Sequence, residues 1–135
     1  QPGLLSFEIP DTPAVWRDEA VSRALQRLHD LGFRVGIDGF GAGHSGLMSL
    51  KRVAADYVKI DRAFVAAIAE SHEDQVIVQA VIQVAHDLGR QVIASGVETS
   101  AQLEVLQALG VDALQGYILN MPVRAQLVPG LLTTT

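Results

Sequence analysis

The apolar positions along this chain fall into two alternating patterns: short, nearly continuous runs, and longer stretches with apolar residues every three or four positions. The first kind predicts buried strands and the second amphipathic helices. Leu4-Leu5-Ser6-Phe7-Glu8-Ile9 reads as a strand. Thr12-Pro13 reads as an N-cap followed by proline at the first helical position. It opens a helix that carries Val21, Leu25 and Leu28 and closes at Gly32. Phe33 to Asp38 is a second strand, followed by a glycine-rich loop and a short apolar helix around Leu47 to Val53. Tyr57-Val58-Lys59-Ile60 is a third strand. A long helix is predicted from about Glu73 to Leu88, with Val76, Ile77, Ala80, Val81, Val84, Ala85 and Leu88 as its buried face. Gln91 to Ala94 is a fourth strand. Thr99-Ser100-Ala101-Gln102 has the pattern of a capping box and opens a helix through Leu103, Leu106 and Leu109 that Gly110 stops. Ala113 to Tyr117 is a fifth, short strand.

Strands alternating with helices predict a parallel sheet covered by helices. Two architectures satisfy the pattern, an open doubly wound sheet and part of a (β/α)8 barrel. A whole barrel needs roughly 250 residues and eight strands, so 135 residues supply a little over half of one. No linker or low-complexity segment interrupts the chain. Its repetition reads as a rhythm of supersecondary units and not as a repeat of sequence.

Composition narrows the class. Hydrophobic residues make up 49% and charged ones 19%, which builds a core and excludes a disordered tail. With no cysteine, disulfides and thiolate metal sites are excluded. No apolar run reaches the roughly 18 residues of a membrane span, and Gln1 to Leu5 lack a signal-peptide pattern. The expectation is a cytoplasmic protein with no membrane segment in this chain. A net charge of −5 without a Lys/Arg cluster argues against DNA. A start at Gln1 rather than Met is expected of a piece of a longer chain.

Polar residues gather at the carboxyl ends of the apolar runs: Glu8, Asp38, Lys59 with Asp61, Ser95 with Glu98, and Gln115. In a parallel barrel those ends converge on the face where active sites are built. Two carboxylates on adjacent strands suit a hard divalent cation, and a nearby lysine suits an attacking water or a phosphate. Each residue has a plainer reading. Lys59 has Asp61 or Asp38 within reach for a salt bridge, Glu98 places charge at a helix start, and Gln115 has strand-end backbone to bond. Gly41, Gly43 and Gly46 match G-x-G-x-x-G after a strand, the outline of a dinucleotide-binding loop. Asp38 just before that loop would repel a pyrophosphate. His29, His44, His72 and His86 lack ligand spacing, and His29 and His86 fall near helix C-termini.

Five segments resemble one family. Phe7-Glu8-Ile9-Pro10-Asp11 is similar to the strand-end E-[IL]-T-E of EAL domains. Val35 to Leu47 resembles their D-D-F-G-T-G-Y-S-S-L loop, and Tyr57 to Val65 resembles L-K-I-D-R-S-F-V. Val92-Ile93-Ala94-Ser95-Gly96-Val97-Glu98-Thr99 resembles V-V-A-E-G-V-E-T, and Leu114-Gln115-Gly116-Tyr117 with Pro122 resembles the closing Q-G-Y…P. The resemblance implies the C-terminal part, about five β/α units, of a modified TIM-type (β/α)8 barrel. Residues 1–128 would form this partial domain and 129–135 a frayed tail. It also implies metal-assisted opening of cyclic di-GMP to linear pGpG with Mg or Mn. Carried over by position, Glu8 would bind the first metal, Asp38 would bridge both, and Lys59 would hold the attacking water. Glu98 and Gln115 would support the site, and Asp61, Arg62, Gly41 and Gly43 would face the ligand.

The departures from the family pattern fall together. Gly39 stands where the family has the second Asp of D-D-F-G, and Ser95 where it has the first Glu of A-E-G-V-E. Both serve the second metal, so that cation should bind poorly. Asp11 replaces a Glu that braces the glycine loop. The expectation is a degenerate EAL-type domain that binds cyclic di-GMP or serves as a regulatory or dimerisation module. A residual metal-dependent phosphodiesterase and a Rossmann-like dinucleotide binder are the alternatives. Its expected partners are cyclic di-GMP and a second copy of itself or the remainder of a longer multidomain signalling protein.

Overall fold

The computed structural model describes residues 6–12, 14, 17–41, 48–53, 55–116 and 119–124. Their strands are β1 (Ser6–Pro10), β2 (Arg34–Phe40), β3 (Tyr57–Ile60), β4 (Gln91–Ser95), β5 (Ala113–Gly116) and β6 (Leu119–Arg124). Their helices of five residues or more are α1 (Glu19–Asp30), α2 (Met48–Arg52), α3 (Arg62–Ala66), α4 (His72–Asp87) and α5 (Ser100–Leu109). The sheet runs β1-β2-β3-β4-β5-β6, strictly in chain order. The first five strands are parallel, and β6 folds back antiparallel on β5. Sequential parallel order is the winding of a β/α barrel. A dinucleotide crevice requires the strand order to reverse at a switch point, and this sheet has no such point. That decides between the two architectures and removes the Rossmann-like reading.

Register divides the sheet into two faces. Ile9, Ile37, Val58 and Val92 form one row across four strands. Phe40, Ile60, Ala94 and Leu114 form the next. Except for the half-buried Ile9, these residues are buried, and they join Leu103 and Leu106 of α5 and Val78 and Ile82 of α4 in one core. Full burial of each Val, Leu, Ile or Phe among them stabilises by roughly 1.5–3 kcal/mol relative to exposure. The opposite face carries the row Glu8, Gly36, Tyr57 and Gln91. In a closed barrel that face lines the interior.

The helix ends follow their capping chemistry. Thr99 and Gln102 form the predicted capping box, and Gly110 closes α5. Ser71 caps α4 by accepting from the Asp74 amide. Several expectations are corrected. The helix carrying Val21, Leu25 and Leu28 begins at Glu19, where Asp18 accepts the Ala20 amide, and not at Thr12. Pro13 lies outside the described residues, as do Leu4, Leu5, Tyr117 and the segment 129–135. The buried stripe of α4 is Val78, Ile82 and Ala85, while Val76 and Ile77 are 51% and 44% exposed. Ala80 and Leu88 are exposed as well. This helix is apolar around more than one arc, so two stripes have helical spacing and the sheet takes only one. The short helix α3 and the strand β6 were not predicted.

Within this rhythm one tetrapeptide recurs at two helix ends. His29-Asp30-Leu31-Gly32 recurs as His86-Asp87-Leu88-Gly89, each ending a helix that leads into a strand. His29 Nδ1 lies 3.5 Å from Asp56, whose other oxygen accepts the Val35 amide at 2.8 Å. His86 Nε2 lies 2.6 Å from Asp112, which accepts the Val92 amide at 2.7 Å. Each clasp ties a helix end to two neighbouring strands at their amino ends, opposite the face described next. Among the described residues, no helix is long and apolar enough to cross a membrane.

Candidate functional site

Glu8 is the centre of the polar face. Lys59 Nζ lies 2.8 Å from Glu8 Oε2, and the Tyr57 hydroxyl donates to the same oxygen at 2.7 Å. Both donors come from β3 and reach across β2 to β1. Gly36 of β2 makes this possible, because a Cβ there would meet the Tyr57 ring at 2.2 Å. The Arg34 guanidinium covers that ring at 4.9 Å and donates to Gln91 Oε1 at 2.7 Å. Burial pushes the Tyr57 phenol up to about 12, the Glu8 carboxylate adding to the rise against the Ser6 hydrogen bond and the Arg34 charge. Tyr57 therefore keeps its proton near neutral pH and donates it to Glu8. Lys59 takes neither salt bridge open to it by sequence, Asp38 or Asp61; it pairs with Glu8. Tyr57, Arg34 and Gly36 were missed in sequence, although their even spacing from Lys59 and Asp38 puts them on the same sheet face.

Asp38 stands on that face too, opposite Pro10 of β1, and is exposed. The β2–β3 pairing slips by one residue between Ile37 and Phe40, so Asp38 and Gly39 form a bulge against Lys59. Gly39 has φ +70°, in the left-handed region that side chains rarely adopt. Asp61 caps α3 with one carboxylate oxygen, which accepts the Ala63 amide at 3.0 Å. Arg62 is exposed and packs beside Gly96. Gly41 lies under the Phe64 ring, which leaves no room for a side chain. Gly43, Gly46 and His44 are outside the described residues.

The far side of the face is weaker in charge. The Ser95 hydroxyl donates to the Ile60 carbonyl at 3.5 Å. Ser95 and Gln115 are register partners on β4 and β5. Gln115 Oε1 is buried without a hydrogen-bond partner among the described residues, so the expected strand-end bond is not made. The Glu98 side chain is exposed, and its amide is held by Gln102 Oε1 at 2.7 Å. Glu98 lies before the cap Thr99, outside the helix. Asp11 is buried, with its amide on the Asp38 carbonyl at 3.1 Å.

Glu8 and Asp38 offer oxygen donors of the kind a hard divalent cation takes. Among the described residues, no third Asp, Glu or His joins them closely enough to complete a shell. The donor types fit such a cation, but only as part of a shell.

A sequentially wound half-barrel with carboxylates and a lysine at its strand ends defines part of a β/α-barrel protein with a polar strand-end face. Comparison with known proteins narrows this. The EAL domain family matches residues 1–122, and the chain belongs to that family. It is 37% identical over 126 residues to a protein of Pseudomonas aeruginosa described as the bifunctional diguanylate cyclase/cyclic di-GMP phosphodiesterase MucR. That match covers 93% of this chain and 18% of the relative. Among solved structures, the chain resembles the PaMucR phosphodiesterase in complex with c-di-GMP (TM-score 0.79, 37% identity, 94% of this chain and 51% of that one). It also resembles the EAL domain of Mycobacterium smegmatis DcpA (TM-score 0.82, 36% identity, 99% and 60%). The chain thus spans under a fifth of the curated relative and little more than half of the solved EAL chains. The fold is the C-terminal part of a TIM-type barrel, as the strand order requires.

Proposed function

We propose that this chain is the C-terminal portion of a degenerate EAL domain that binds cyclic di-GMP and does not hydrolyse it at an ordinary rate. The observation that carries this reading is the side of the face where the family places its second cation. Gly39 has no side chain to offer there, and Ser95 offers only a neutral hydroxyl, whose proton points to the Ile60 carbonyl. Glu8 and Asp38 would hold one divalent cation, Mg or Mn, with the rest of its shell from outside the described residues. A pair of such cations would polarise the phosphodiester and make hydroxide available near neutral pH. Lys59, held at 2.8 Å from Glu8, would orient a water or neutralise a phosphate oxygen. Gln115, whose buried oxygen has no partner among the described residues, and Glu98 would support the ligand side. The solved relative bound to c-di-GMP supports the choice of ligand.

Calorimetric titration of cyclic di-GMP with Mg or Mn and with chelator, followed by chromatography of the ligand, tests the reading. Binding with the ligand recovered intact is expected. Rapid conversion to pGpG that depends on Asp38 would overturn it and favour a residual phosphodiesterase.

A further inference from the structure

Glu8 Oε2 receives two hydrogen bonds from fixed donors, Lys59 Nζ at 2.8 Å and the Tyr57 hydroxyl at 2.7 Å. A carboxylate oxygen has two lone-pair directions, so this atom is saturated. Glu8 Oε1 takes no hydrogen bond from the described residues. The tyrosine that completes the saturation is itself held by two β2 residues, Gly36 and Arg34. Gly36 lies against the ring, with no space for even a methyl group. The Arg34 guanidinium lies over the ring and is tethered to Gln91. Tyr57 is only 2% exposed, so its aim at Glu8 is set by packing.

We propose that Tyr57 is a positioning residue which locks Glu8 Oε2 and so presents Oε1 as the one oxygen available to a divalent cation. This rests on the reading above that Glu8 is a cation ligand. Hydrogen bonds to a ligating carboxylate fix its orientation, and losing such a partner typically weakens metal binding by about 10-fold to 100-fold. Arg34, Gly36 and Gln91 act one step further back, by holding the ring. The signal in the sequence is two residues upstream of Lys59, on the same face of β3.

The test is Tyr57→Phe, which keeps the ring in its slot and removes only the hydroxyl. Mn2+ affinity is measured by the resonance signal of the free ion, beside thermal melting and a crystal structure of the metal-free variant. The expected result is an affinity about tenfold weaker with the melting temperature nearly unchanged. Unchanged Mn2+ affinity overturns the proposal. If the wild-type protein binds no Mn2+, the cation reading fails, and the metal-free structure then decides the role of Tyr57. Glu8 swung away from Lys59 in Tyr57→Phe supports positioning, and Glu8 unmoved overturns it.

Discussion

His86 Nε2 and Asp112 stand 2.6 Å apart, and the same Asp112 oxygen accepts the Val92 amide at 2.7 Å. The aspartate therefore joins the end of α4 to the start of β4 from the residue just before β5. Asp112→Ala leaves the Val92 amide unpaired at a buried strand start, which costs about 1–3 kcal/mol. His86→Ala removes only a half-exposed partner and should cost under about 1 kcal/mol. Urea unfolding of the two variants checks the order. Equal losses would show that the ion pair, not the amide bond, carries the clasp.

Gly36 is required for space. A Cβ there would sit 2.2 Å from the Tyr57 ring. Gly36→Ala must push the ring aside and break its bond to Glu8, at about 1–3 kcal/mol for overpacking. The expected outcome is a lower unfolding midpoint together with weakened Mn2+ binding. A variant of wild-type stability would mean that the ring has another place to go.

Tyr57 predicts a stability change at high pH. Burial holds its phenol up at about 12, above the 10.0 of an unstrained tyrosine. The fold thus favours the protonated form. That contribution is complete below about pH 10 and is lost as pH rises to about 12, on the order of 2–3 kcal/mol. Tyrosinate absorbance should resolve a late-titrating group that disappears in Tyr57→Phe, because Tyr117 is the only other tyrosine. A single transition near pH 10 for both tyrosines would count against it.

The proposed reading of Gly39 and Ser95 predicts that two added carboxylates raise turnover. Gly39→Asp with Ser95→Glu restores both missing carboxylates, and with Mn the double variant should turn over cyclic di-GMP at least about tenfold faster, a gain of about 1.4 kcal/mol. Gly39→Asp alone should be destabilised by about 1–2 kcal/mol, because φ is +70° at that position. Product chromatography and melting curves read the two effects. A double variant as silent as the wild type would place the lesion elsewhere.

Much of the fold is legible in the sequence because it depends on local rules. The capping box at Thr99 and Gln102, the stop at Gly110 and the apolar run of β3 need only a few neighbouring residues to specify them. The buried face of α4 was read only in part, Ala85, Val81 and Val84 being expected but Val78 and Ile82 not, because helical spacing alone cannot choose between two apolar stripes. The bulge at Asp38 and Gly39 was invisible because it is a relation between β2 and β3.

For the site the division is similar. The sequence by itself determined which residues stand at the strand ends, their family, and that Gly39 and Ser95 carry no carboxylate. Only the tertiary structure decided that Lys59 pairs with Glu8 and not with Asp38 or Asp61. It alone brought Tyr57 across Gly36 to the same carboxylate and gave Asp61 to a helix cap. The physical reason is that a strand's pattern specifies which face a side chain occupies, while its partner depends on register and on the space the intervening strand leaves.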